Sequence, residues 1–144
     1  MNVFQLNYDA RLRSWYDLRT TVEKTDTLTK CVEIDKWWQQ APLVAHYLHP
    51  LDIQQWPSPW ELLVDNTFCP IARGLGMVYT LALVGIKTLD FVLGKDDNDE
   101  VALVMVEGAK YVLNYHPNTV ISNTLQDFKI DNRLSVDLLI KKIK

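Results

Sequence analysis

The stretch Cys69-Pro70-Ile71-Ala72-Arg73-Gly74-Leu75-Gly76-Met77-Val78-Tyr79-Thr80-Leu81-Ala82-Leu83-Val84-Gly85 decides the fold. Ile71, Ala72, Leu75, Met77, Val78, Leu81, Ala82 and Val84 lie almost all round a helical wheel, and a helix apolar on every side is buried. Asp65-Asn66-Thr67-Phe68 leads into its start, and Gly85 is placed to cap its end. Gly74 and Gly76 each cost such a helix up to about 1 kcal/mol. Their presence predicts the close approach of another backbone.

After this helix the period changes. Thr88–Leu93 reads as a strand and Gly94–Asp99 as an exposed acidic turn. Val101–Val106 is apolar throughout, which predicts a strand covered on both faces. Glu107-Gly108-Ala109-Lys110 is a hairpin turn, Tyr111–Tyr115 returns as a third strand, and Val120-Ile121 adds a short fourth. In the tail, Leu134, Leu138, Leu139 and Ile140 suit a helix within 132–144.

Before the buried helix the chain reads as helical and rich in tryptophan. All five Trp, at positions 15, 37, 38, 56 and 60, lie in the first 60 residues. Leu12, Trp15, Tyr16, Arg19 and Val22 form one stripe of a helix over about 8–23. A second helix over about 27–40 is capped by Asp26. Pro42 and Pro50 bracket one or two helical turns between Leu43 and His49. Ser58-Pro59-Trp60-Glu61 is the clearest start signal, with an N-cap serine, proline at the first helical position and glutamate completing a capping box. Helices followed by an antiparallel sheet give an α+β class, with a central buried helix packed on a small sheet.

Length and composition agree with one domain. The chain has 144 residues, 48% hydrophobic and 23% charged, with a net charge of -3. That balance is too apolar for disorder and too acidic for bulk phosphate binding, so no nucleic-acid partner is expected. No apolar run is long enough to span a membrane, and Met1–Leu6 does not read as a signal peptide. Within the single domain, residues 1–64 form a Trp-rich helical part, 65–122 a helix-and-sheet core and 123–144 a C-terminal segment.

Two cysteines, Cys31 and Cys69, fit a reduced compartment rather than a disulfide framework. Cys69 stands at a helix start, where the dipole favours a thiolate and where many cysteine nucleophiles are presented; a small buried residue would look the same. His46 and His49 form a His-x-x-His pair, too few ligands for a metal site. Asp96–Glu100 lacks the glycine and terminal glutamate of a calcium loop and reads as a solvated turn. Neither metal nor cofactor is expected.

From Cys69 to about Ser122 the chain resembles the transglutaminase-like cysteine peptidase superfamily, especially its small bacterial branch. The resemblance is carried by Cys69, by Leu83-Val84-Gly85-Ile86, by Val101-Ala102-Leu103-Val104-Met105-Val106 and by Tyr111-Val112-Leu113-Asn114-Tyr115. It implies a Cys opening the central helix, a His at the start of the second strand and an Asp on the return strand. The Cys aligns within about one residue. The His position falls on Val101, or on Glu100 with a one-residue slip, and the Asp position on Asn114. Valine takes no proton, and loss of the base costs several orders of magnitude in rate. His116 shares a strand face with Asn114 and is the one candidate for rescue. The resemblance therefore implies a fold that has lost its triad, with Cys69, Val101 and Asn114 as vestiges.

A second, looser resemblance covers Trp56–Cys69 and Lys110–Tyr115, together with the Trp-rich half. The whole is similar to small proteins of contractile-tailed bacteriophages. This implies a non-catalytic structural or assembly protein at the tail, baseplate or neck of the particle. Such a protein is made in the bacterial cytoplasm, binds other phage structural proteins and permits an oligomer. Trp37, Trp38, Trp56 and Trp60 are its candidate interface residues, since tryptophan is enriched in binding hot spots. The alternatives are an active cysteine hydrolase or acyl transferase using Cys69 with His116, and a phage factor that binds a host protein.

Overall fold

The structure, a computed structural model, describes residues 2–44, 48–96, 99–116, 119–121 and 128–143. Among the described residues four α-helices precede the sheet: α1 (Tyr8–Val22), α2 (Thr27–Trp38), α3 (Pro59–Asp65) and α4 (Pro70–Leu83). Their starts follow the sequence signals. Asn7 and Asp26 accept from Ala10 N and Thr29 N. Ser58 and Glu61 form the reciprocal capping box with Pro59 at the first position. Asn66 ends α3 in the left-handed conformation, φ 53°, which asparagine tolerates.

Five antiparallel strands follow in the order β4-β3-β2-β1-β5. They are β1 (Leu89–Asp96), β2 (Asp99–Val106), β3 (Tyr111–His116), β4 (Thr119–Ile121) and β5 (Phe128–Ser135), and a short α5 (Val136–Ile140) closes the chain. The tail is thus mostly strand where periodicity suggested helix. Residues 128–135 pair along β1, and only from Val136 does the leucine spacing set the conformation. Pairing to an existing strand outweighs the weak propensity of a polar segment. Between Leu93 and Gly94 the β1–β5 register shifts, from Leu93 opposite Asn132 to Gly94 opposite Ile130. Asp131 is left as the extra residue of a bulge.

The main core lies between the helices and one sheet face, with α4 at its centre. Ile71, Leu75, Met77, Val78 and Leu81 of α4 meet Phe91, Leu93, Ala102, Val104 and Leu113 of the sheet. Val92, Leu103, Met105 and Val112 form a second buried cluster on the opposite face, as the all-apolar β2 required. The glycines of α4 do admit close approach, but of aromatic side chains rather than backbone. A Cβ on Gly74 would stand 2.6 Å from the Phe91 ring, and one on Gly76 would stand 2.5 Å from the Trp38 ring.

The tryptophans are the filling of the helical layer. Trp15 and Trp38 are fully buried, Trp37 and Trp56 nearly so, and only Trp60 reaches the surface, at 39% exposed. Trp37, Trp38 and Trp56 therefore offer no face to a partner in this conformation. Phe4 stands edge-on to Trp37 and to Phe68, with centroids 5.1 and 5.0 Å apart. Trp15 Nε1 and Trp38 Nε1 both donate to Thr80 Oγ1, at 2.9 and 3.0 Å, and Thr80 donates to Gly76 O. One hydroxyl has one donor and two lone pairs, so Thr80 is saturated and leaves both indoles satisfied.

Candidate functional site at the start of α4

Cys69 is the N-cap of α4 in extended conformation, and its side chain caps nothing. Its side chain is fully buried within the main core. The approach to it is flanked by the segment Pro42–Val44, where Val44 N donates to Phe68 O at 2.8 Å and Leu43 bridges Phe68 in parallel. The helix start was legible, but an open thiol was not the outcome.

A cleft of about 60 Å³ lies beside this helix start. Pro70 and Ile71 of α4, Val101 and Glu100 of β2, and Asp131 and Asn132 at the β5 bulge line it. The fold thus brings the two positions named for the histidine, Val101 and Glu100, to the start of α4. Pro70 and Ile71, not Cys69, are the residues of the helix start that line the cleft with them. A one-residue offset at the helix start is enough to turn the cysteine inward.

Asn114 lies on β3 but in the left-handed region, φ 66°, and is 4% exposed. Its amide is spent at both ends. Arg73 Nε donates to Asn114 Oδ1 at 2.8 Å, and Asn114 Nδ2 donates to Pro70 O at 3.1 Å and to Ala102 O at 2.7 Å. The side chain ties the first turn of α4 to β2. A carboxylate has no N–H to give those two carbonyls. Asparagine is therefore more than an aspartate that has lost its charge: its donor end has a task.

The backbone N–H of Asn114 donates to Asp35 Oδ1 at 2.9 Å. Asp35 belongs to α2 and is fully buried, as is Cys31 one turn before it. Gln39, one turn after, donates from Nε2 to the same Oδ1 at 3.2 Å. Burial raises the Asp35 carboxyl above its ordinary value, and the Asn114 N–H, Gln39 and the Arg73 charge offset this in part. Burial, with Glu107 and Asp35 adding to it, pushes the Cys31 thiol up to about 12, so it is an inert apolar filler. Burial also draws the Arg73 guanidinium below its usual value, opposed by Asp35. Sequence reading missed Asp35 and Arg73. The available signal was a charged residue on the apolar stripe of α2 and another inside the otherwise apolar α4.

His116 ends β3 at a backbone pair with Thr119, and its ring lies outside the described residues, as does all of His46. His49 is described; its Nδ1 accepts from Leu51 N at 3.1 Å, a local turn contact. Among the described residues no group of three His, Cys, Asp or Glu is placed to hold a metal. No described helix is long and apolar enough to cross a membrane.

A central helix opened by cysteine and packed on an antiparallel sheet is an α+β fold. The solved structures that match are of Legionella pneumophila LapG, with TM-score 0.78 and 14% identity over 95% of this chain and 88% of that one. The EGTA-treated LapG matches equally well, and the calcium-bound LapG has TM-score 0.76 over 90% of this chain and 77% of that one. At this identity the likeness is one of fold. No family model and no curated protein matches the sequence.

Proposed function

We propose that the chain is a non-catalytic transglutaminase-like domain that serves as a structural or assembly protein of a tailed-phage particle. It is made in the bacterial cytoplasm, enters the virion and works by binding other particle proteins. The observation that carries the non-catalytic part is the state of Asn114. Where the resemblance expects a carboxylate to steady an imidazole, the side chain donates to Pro70 O and Ala102 O and accepts from Arg73. Two further features support it: Val101 and Pro70, not Cys69, line the cleft, and Cys69 is fully buried.

The binding part is supported by an aromatic face between α1 and α3. Tyr16 is 57% exposed, and Trp60 stands edge-on to Trp15, 6.2 Å between centroids. The Arg19 guanidinium lies 4.1 Å from the Trp15 ring centroid and 5.6 Å from that of Tyr16. Exposed Trp and Tyr beside a half-buried Arg have the composition of a binding hot spot. The interface candidates thus reduce to Trp60, joined by Tyr16.

Two measurements test the reading. Mass spectrometry of purified particles should find the chain at a fixed ratio to the other structural proteins, and its consistent absence would remove the assembly role. Iodoacetamide at neutral pH should label Cys69 as slowly as Cys31 in the native protein. Rapid labelling of Cys69 alone would instead establish a cysteine hydrolase or acyl transferase, with His116 as the base to test next.

A further inference from the structure

Two buried acceptors beside β3 have no partner: Asp35 Oδ2 and Gln39 Oε1. They belong to side chains one helical turn apart on α2 that already touch, through Gln39 Nε2 and Asp35 Oδ1. Asp35 is fully buried, and its other oxygen also takes the backbone N–H of the strained Asn114. Leaving one buried acceptor unsatisfied is costly, and leaving two side by side costs more. A carboxylic acid and a primary amide have complementary edges. The amide N–H meets the acid carbonyl, and the acid O–H meets the amide carbonyl. A single proton on Oδ2 would satisfy both orphans.

We propose that Asp35 is held as the neutral acid at neutral pH, with its proton donated from Oδ2 to Gln39 Oε1, and that this pair is a proton-operated clasp joining α2 to the bend of β3 at Asn114. Loss of the proton leaves a buried carboxylate facing an amide oxygen, and the two repel. The charged and titratable groups acting on the pair are few among the described residues. Arg73 on α4 favours the ionised form of Asp35. Cys31 on α2 is neutral, and Glu107 on the β2–β3 hairpin opposes ionisation of that thiol. Arg73 Nε is engaged by Asn114 Oδ1, so the cation nearest the carboxyl is partly committed elsewhere.

The consequence runs opposite to ordinary acid denaturation. A carboxyl raised in the folded state binds its proton more tightly there than in the unfolded chain. Its stabilisation is complete below the ordinary carboxyl value and is lost as pH rises through the raised one. Each unit of that upward shift changes the folding equilibrium tenfold across that window.

Asp35→Asn tests this, because an amide keeps both the acceptor for Asn114 N–H and a donor for Gln39 Oε1 at every pH. Denaturation of the full chain from about pH 3 to about pH 9 should show the variant matching the wild type below about pH 4 and exceeding it progressively above. Infrared difference spectra of the two proteins at neutral pH should contain a carboxylic-acid carbonyl band from the wild type. Two results would overturn the proposal. One is a purely carboxylate difference spectrum, which means an ionised Asp35 with water or a cation between the oxygens. The other is an Asp35→Asn variant that is less stable at all pH values or does not fold.

Discussion

The two halves of α4 solve different problems. The second half packs against tryptophans, and the two buried indoles of Trp15 and Trp38 converge on one saturated hydroxyl, Thr80. The first half meets the sheet through a left-handed asparagine, a half-buried arginine and a buried carboxyl with an orphaned oxygen. In the aromatic half both buried indoles of Trp15 and Trp38 have their acceptor, and it reads as scaffold. The polar half concentrates strain and unpaired groups, which in proteins gather at functional sites. Within it the Asn114 amide ties the first turn of α4 to β2.

Three substitutions sharpen or break that contrast. Thr80→Val is isosteric and leaves two buried indole N–H groups without an acceptor; it should cost about 4 kcal/mol in urea denaturation. A loss near zero would mean that water or a rotated backbone carbonyl replaces the hydroxyl, and the aromatic half would not depend on Thr80. Gly76→Ala should cost about 3 kcal/mol, because the added methyl falls 2.5 Å from a fully buried Trp38 ring that two edge contacts and a hydrogen bond hold in place. Its near-ultraviolet dichroism should change with it, since the Trp37–Trp38 pair, 4.8 Å apart, must shift. Asn114→Asp should cost about 2 kcal/mol, through two carbonyls that lose their donor, offset by a stronger pair with Arg73. It should leave Cys69 labelling slow. A stabilised Asn114→Asp protein with a faster thiol would mean that the polar half is still built for the triad.

Local pattern made much of the fold legible. The Ser58–Glu61 capping box, the all-round apolar α4 and the all-apolar β2 each correspond to a described element, because backbone caps and burial periodicity act within a few residues. The tail was not legible. Phe128–Ser135 has no strong pattern of its own and becomes a strand through pairing with β1. The tryptophans misled as surface candidates for a related reason. Composition shows that they are large and abundant, but burial depends on which helix faces meet. Trp60 is exposed because it lies on the outer side of α3, whereas Trp56 packs on Phe91, 6.0 Å between centroids.

The site shows the same division. The resemblance named Val101 and Asn114 beside Cys69, and the fold does bring Val101 and Asn114 to the start of α4. Sequence determined the helix starts and the strand periods. Only tertiary structure decided that Pro70 faces the cleft while Cys69 turns inward, and that Asp35, 79 residues away from Asn114, supplies the acceptor for its backbone. Caps and periodicity are short-range properties written in neighbouring residues. Which side chain is buried, and which charge is left without a partner, depends on surfaces that meet only after the chain has folded.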